Sequence, residues 1–136
     1  MKFFSKDKKS AFDAKDAAQW IAFGPVIFQV SRVLRNTGIL KLIEESGTQG
    51  ITNESIAKDL NMTNYGVRVL LESGLGLGLV LVNDKKYTLG KTGYFILHDP
   101  LTITNMDFIH DVNYKGLFYL DESIEKGKAA GLKEFG

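Results

Sequence analysis

Cysteine is absent from the chain, which excludes a disulfide framework, thiolate catalysis and a thiolate metal site. Charge of one sign is also missing: 17 basic residues stand against 16 acidic ones, a net charge of +1. Such a balance argues against a protein that lives by binding polyanions, although it leaves a local patch open. No apolar run is long enough to span a bilayer; the most apolar stretch, 17–30, is too short and contains Gly24 and Pro25. The N-terminus, MKFFSKDKKSAFDAKD, lacks the apolar centre of a signal peptide. Internal repeats and low-complexity segments are missing as well. These absences leave an intracellular, cytoplasmic chain of 136 residues, the size of one domain, whose 44% hydrophobic content can build a core.

Residues 66–89, GVRVLLESGLGLGLVLVNDKKYTL, support two incompatible readings. As strand, loop and helix, Gly74-x-Gly76-x-Gly78 would be a nucleotide-binding turn. That turn needs a helix after the glycines, whose free N–H groups receive the anion. The chain continues instead with Leu79-Val80-Leu81-Val82 and then Asn83-Asp84-Lys85, a branched apolar run closed by turn formers, and so a strand. Lys86-Tyr87-Thr88-Leu89 is strand-like too, which makes 79–89 a hairpin. The glycines therefore read as the loosened end of a helix leading into a strand.

Upstream, residues 17–35 read as one long helix, bent at Gly24-Pro25 because proline removes a backbone donor. Trp20, Ile21, Phe23, Val26, Ile27, Phe28, Val30, Val33 and Leu34 surround it almost completely. A helix apolar all round must be buried on every side. A small domain covers one side, so a second copy is expected on the other. ILKLIEES makes a short helix closed by Gly47. Thr52 and Thr63 then read as N-caps, each between apolar residues placed as a hydrophobic staple: Ile51 with Ile56, Met62 with Val67. Only Asn61-Met62-Thr63 separates the two helices, the short turn of a helix-turn-helix. With the hairpin added, the pattern is a winged helix-turn-helix. Beyond it, residues 91–97 look like a helix stopped before Pro100, and 103–112 and 114–126 like two more. The tail GKAAGLKEFG reads as having no closing element and as cut off.

Charge decides whether such a unit reads DNA. Glu54, Lys58, Asp59, Arg68, Glu72, Asp84, Lys85 and Lys86 cancel across the helices and hairpin. Asn64, Arg68, Lys85 and Lys86 are the candidate contacts, and one helix cation is little for a binder that must neutralise several phosphates. The histidines, His98 and His110, each precede an aspartate but lack ligand spacing and a third ligand, so they read as helix-end or surface residues. Asp121, Glu122 and Glu125 read as a solvated face, with Glu122–Lys126 as an i,i+4 pair. Asp107 and Asp111 read the same way. The sequence offers no nucleophile motif, phosphate loop or metal box, and no catalytic, cofactor-binding or metal residue is assigned.

Taken in order, these pieces resemble the N-terminal domain of class I S-adenosylmethionine-dependent methyltransferases of the O-methyltransferase type. The likeness runs from Trp20 to Gly136. It rests on the apolar opening helix, ILKLIEES with TNESIAKDLNMTNYGVRVLLES, the hairpin ending in KYTLGKTGYFIL, and YKGLFYLDESIEKGKAAGLKEFG. The resemblance implies a mainly α fold with a small β-hairpin, a winged helix-turn-helix with added N- and C-terminal dimerisation helices. It implies a charged N-terminus at 1–16, a dimerisation domain at 17–112, and a linker helix and tail at 113–136 leading to a catalytic domain outside this chain. S-adenosylmethionine would be the cofactor of the whole enzyme, with none bound by this segment and none of the family's catalytic residues present in it. The chain would form a homodimer and a lid over a small-molecule acceptor, with Trp20, Phe23, Ile27, Phe28, Met106 and Ile109 as interface candidates. The glycines at 74, 76 and 78 depart from the family pattern, which has at most one in that turn. A single-domain winged-helix transcription regulator is the alternative, and a module that binds proteins through its winged helix is a third.

Overall fold

The computed structural model describes residues 4–136. It is mostly helical, with one small antiparallel sheet. The expected long opening helix is instead two: α1 (Ala11–Ala22) and α2 (Gly24–Asn36). The interruption falls at Phe23, at φ −95° and ψ 9°. Pro25 has no N–H for the preceding turn but suits the first turn of a new helix, so the chain ends one helix and starts another there. α1 also starts earlier than expected, inside the charged N-terminal stretch. Ser10 caps it by accepting from the N–H of Asp13 at 3.0 Å.

α3 (Ile39–Glu45) comes next, as expected. Ile51–Thr52 then forms a two-residue strand, β1, that the sequence pattern did not announce. α4 (Asn53–Leu60) and α5 (Asn64–Gly76) have the expected caps: Thr52 accepts from the N–H of Ser55 at 3.2 Å, and Thr63 from that of Gly66 at 2.9 Å. Between them Asn61 adopts a left-handed conformation, φ 53°, and the N–H of Met62 closes on the carbonyl of Ala57 at 2.9 Å. α5 runs through Gly74 to Gly76, and Gly78 at φ 74° turns the chain into β2 (Val80–Asn83). No helix begins after the glycines, so the nucleotide-turn reading has no anion site. β2 and β3 (Lys86–Leu89) pair antiparallel, Val82 opposite Tyr87, across the two-residue turn Asp84-Lys85, both at positive φ. β1 pairs with the outer edge of β3, Ile51 opposite Tyr87, which extends the hairpin to a three-stranded sheet.

α3, α4, α5, the end of α2 and the start of β2 enclose the core. Leu34, Ile39, Leu40, Ile43, Ile56, Val67, Leu71 and Val80 are completely buried there. Each such side chain contributes on the order of 1.5–3 kcal/mol by leaving water. α2 joins this body through Leu34 and Val30, and Ser31 is buried beside them with its hydroxyl donating to the Ile27 carbonyl.

α6 (Lys91–His98) ends where expected, but Pro100 starts the next element as well as stopping the last. α7 (Pro100–Phe108) has Asp99 as its N-cap, accepting from the N–H and hydroxyl of Thr102 at 3.0 and 2.6 Å. It passes into a π-helical turn, Ile109–Asn113, in place of the uniform helix expected over 103–112. The helix expected at 114–126 is divided too, into a 3₁₀ turn at Gly116–Tyr119 and α8 (Leu120–Lys126). The tail does close. A 3₁₀ segment, Ala130–Phe135, folds back on Gly116–Tyr119, and the two backbones cross at Gly116 and Gly131. A Cβ on Gly131 would sit 2.8 Å from the Gly116 carbonyl oxygen, so only glycine permits this approach.

Candidate functional site

α1 contains no buried residue. Its apolar side chains, and those at the start of α2, face outward: Trp20 is 45% exposed, Ile21 80%, Phe23 56% and Val26 57%. The spacing of Trp20, Phe23 and Val26, broken at Phe23, turns these three, but not Ile21, toward a groove of about 310 Å³ between α1, α2 and the end of α5. Trp20, Phe23, Val26, Ile27, Val30 and Leu77 form its apolar lining. Contiguous exposed apolar surface of this kind is uncommon on a monomer and marks a site of contact.

The other interface candidates lie elsewhere. Phe28 and Ile109 are half-buried, and Phe28 stacks on Tyr114 of its own chain at 5.4 Å between ring centres. Met106 is only 8% exposed and packs inside the chain. Trp20, Phe23 and Ile27 are thus brought together in one groove, while Phe28, Met106 and Ile109 are not part of it.

A polar seam joins α2 to the 107–114 segment. Arg35 pairs with Asp107; Arg32 Nε donates to Gln29 Oε1 at 3.0 Å; Gln29 Nε2 lies 3.2 Å from His110 Nδ1. Tyr114 donates to the carbonyl of Pro25 at 3.1 Å. The C-terminal segment is tied to itself in the same manner. Glu122 bridges Lys126 at 3.1 Å and Lys133 at 2.6 Å, and Lys133 lies 4.1 Å from the centre of the Tyr119 ring. These bonds, that of Lys133 foremost, hold the Glu122 carboxyl below its ordinary value. The Tyr119 hydroxyl donates to Glu134 at 2.7 Å, which pushes its titration up. Asp99 is lowered by the two bonds from Thr102, the hydroxyl bond first. Around these ties the apolar side chains point out: Phe118 is 82% exposed and Ile124 76%.

The candidate nucleic-acid contacts are all exposed. Asn64, Arg68 and Lys85 share a recess, but Glu54 and Glu72 line it with them and offset its positive charge. Arg68 also stands over the Tyr65 ring at 5.5 Å. Lys86 lies outside that recess. His98 Nε2 donates to Glu44 Oε2 at 2.6 Å, at the surface where α6 meets α3. Among the described residues, no group of three or more His, Asp or Glu side chains could hold a metal ion, and no helix is long and apolar enough to cross a membrane.

Sequence reasoning missed the Arg32–Gln29–His110 chain, in which His110 lies 81 residues from Gln29 and no common motif links them. It also missed the cap at Asp99. There the signal was present, since an aspartate directly before a proline is a helix start.

Compared with known proteins, residues 15–87 match the family model of the Dimerisation2-like domain. No curated protein sequence gives a significant match. Among solved structures, the chain is similar to the S-adenosylmethionine-dependent methyltransferase SibL in its apo form, at 26% identity and a TM-score of 0.76 over 88% of this chain. Human N-acetylserotonin methyltransferase in complex with SAM shares the fold at 18% identity and a TM-score of 0.70 over 98% of this chain. LepI in complex with SAM shares it at 16% identity and 0.69 over 88%. The chain spans 36%, 39% and 30% of these three structures. On the match over more than half its length, the chain belongs to the Dimerisation2-like domain family.

Proposed function

We propose that the chain is the dimerisation and substrate-lid segment of a SAM-dependent methyltransferase acting on a small molecule. The observation that carries this reading is α1: a helix that lies mostly inside the family match has no buried residue and turns Trp20 and Ile21 to solvent. Such a helix gains little from its own chain and is expected to be held by a second copy. α4, α5 and the sheet are then a winged helix-turn-helix used as a scaffold. Residues 17–112 form the dimerisation domain, with 1–16 as its charged lead and 113–136 as a linker toward a catalytic domain. SAM would bind that catalytic domain, and this segment covers the acceptor. In the homodimer Trp20, Phe23 and Ile27 are direct contacts. Phe28, Met106 and Ile109 lie outside that groove and would be secondary to these contacts.

Sedimentation equilibrium tests the reading. The chain is expected to be a dimer at micromolar concentration, and Phe23→Asp or Ile27→Asp to give a folded monomer by circular dichroism. Dimers that persist in both variants would reject this interface, and a wild-type monomer at 100-fold higher concentration would reject dimerisation. The convergence of Asn64, Arg68 and Lys85 is the one observation that favours a DNA-binding regulator. A missing gel shift on random duplex at low salt disposes of that alternative.

A further inference from the structure

Arginine can only donate, so the bond from Arg32 Nε fixes Gln29 Oε1 as the acceptor. The Gln29 amide nitrogen is then the atom facing His110 Nδ1, and it donates. Nδ1 must carry the lone pair, which leaves the ring proton on Nε2 of a neutral imidazole. A proton on Nδ1 would set two donors face to face, and Gln29 cannot turn over without presenting its NH₂ to Arg32. The relay thus selects one tautomer by geometry.

The backbone supports the same placement. His110 lies in the π-helical turn Ile109–Asn113, a geometry concentrated at functional sites. Tyr114 pins the end of that turn through the Pro25 carbonyl and the Phe28 ring. His110 also lines a recess of about 390 Å³ with Asp111, Val112, Lys115, Glu134 and Phe135. No α2 residue lines that recess, and the Nδ1 edge of the ring is taken up by Gln29.

We infer that His110 is a built hydrogen-bond donor whose Nε2–H is offered at this recess to an uncharged carbonyl oxygen of a small molecule. The inference rests on the reading of the chain as the cover of a small-molecule site. Two carboxylates against one ammonium make the recess unfavourable for anions, while Val112 and Phe135 supply apolar surface. Gln29 and Arg32 act through His110 and are positioning residues.

Long-range ¹⁵N–¹H correlation of the histidine ring reads the tautomer in the wild-type chain directly. The expected result is Nε2–H, giving way to a mixture in Gln29→Leu. Acetophenone serves as the probe and is expected to shift the His110 ring signals. His110→Phe, which keeps an aromatic ring but has no donor, should bind it roughly 3–10-fold more weakly, the size of one hydrogen bond. α-Methylstyrene, of the same shape without the oxygen, should bind the wild type less tightly by a similar factor. A wild-type Nδ1–H tautomer overturns the inference, as does equal acetophenone binding by wild type and His110→Phe. A monomeric chain that still holds acetophenone through His110 would defeat the dimer and support the donor. A dimer indifferent to acetophenone would do the reverse.

Discussion

The centre and the flanks of this molecule are built on opposite principles. In α3, α4, α5 and at Val80 of β2, branched apolar residues close a common core, though Val69, Leu81 and Val82 face outward. In α1 and beyond α6 they face outward: Ile21, Leu101, Phe118, Ile124 and Phe135 are mostly exposed, and polar ties hold the elements in place. The centre gains its stability from apolar surface removed from water, which needs no partner. The flanks keep theirs available. A chain with this division has one part closed on itself and another whose apolar surface stays open to solvent.

The largest effect that sharpens this contrast comes from a pair of truncations. Leu71→Ala removes a completely buried side chain and is expected to cost about 3 kcal/mol in urea unfolding. Ile21→Ala removes a side chain that is 80% exposed and should change the stability of the unassociated chain by no more than about 0.5 kcal/mol. Comparable costs for the two would mean that α1 belongs to the core after all.

A smaller effect is expected at the C-terminal crossing. Gly131→Ala places a methyl group against the Gly116 carbonyl and should detach the Ala130–Phe135 segment at a cost of about 1–3 kcal/mol. The amide of Ala130, bonded to Ser123 Oγ at 3.0 Å, would lose hydrogen-exchange protection. The amides of α5 would keep theirs. Loss of protection in both regions would show that the tail is part of one cooperative unit with the core.

The same division decides what could be read from the sequence. The centre was legible because its signals are local: threonine caps with staples at Thr52 and Thr63, the Asp84-Lys85 turn, and an apolar run ending in turn formers. The flanks depend on contacts between distant residues. Pro25 marked the place as a bend, but the apolar pattern runs straight through Phe23 and gave no sign that the helix ends there. β1 is too short for any period to show. The tail looked open because Gly116 and Gly131, which let it close, resemble loop glycines until the two backbones are seen to cross. Of the candidate surface, the apolar residues around Trp20 were visible as an excess. Which of them share a groove depends on the break at Phe23, and so was not.

The smallest effect is a titration, and it separates the two regions by their charges. Glu122 is depressed from its ordinary 4.5 by Lys133 and then Lys126, and Asp99 from 3.8 by Thr102. A carboxylate depressed in the folded state stabilises it above its ordinary value, and that contribution is lost as pH falls through the lowered one. Tyr119 is raised above 10.0 by its bond to Glu134, so its contribution is complete below 10.0 and lost as pH rises through the elevated value. The C-terminal segment is therefore most firmly closed between these limits and loosens first on either side. The fully buried core side chains are apolar and do not titrate. Exchange at Ala130 should accelerate, beyond the intrinsic pH dependence of amide exchange, below about pH 4 while Leu71 stays protected; the threshold comes from the ordinary carboxylate values. Glu122→Gln should remove most of that acid sensitivity. If Ala130 and Leu71 opened together as the acid was added, the flank would be no more separable from the centre than one strand of a sheet is from the next.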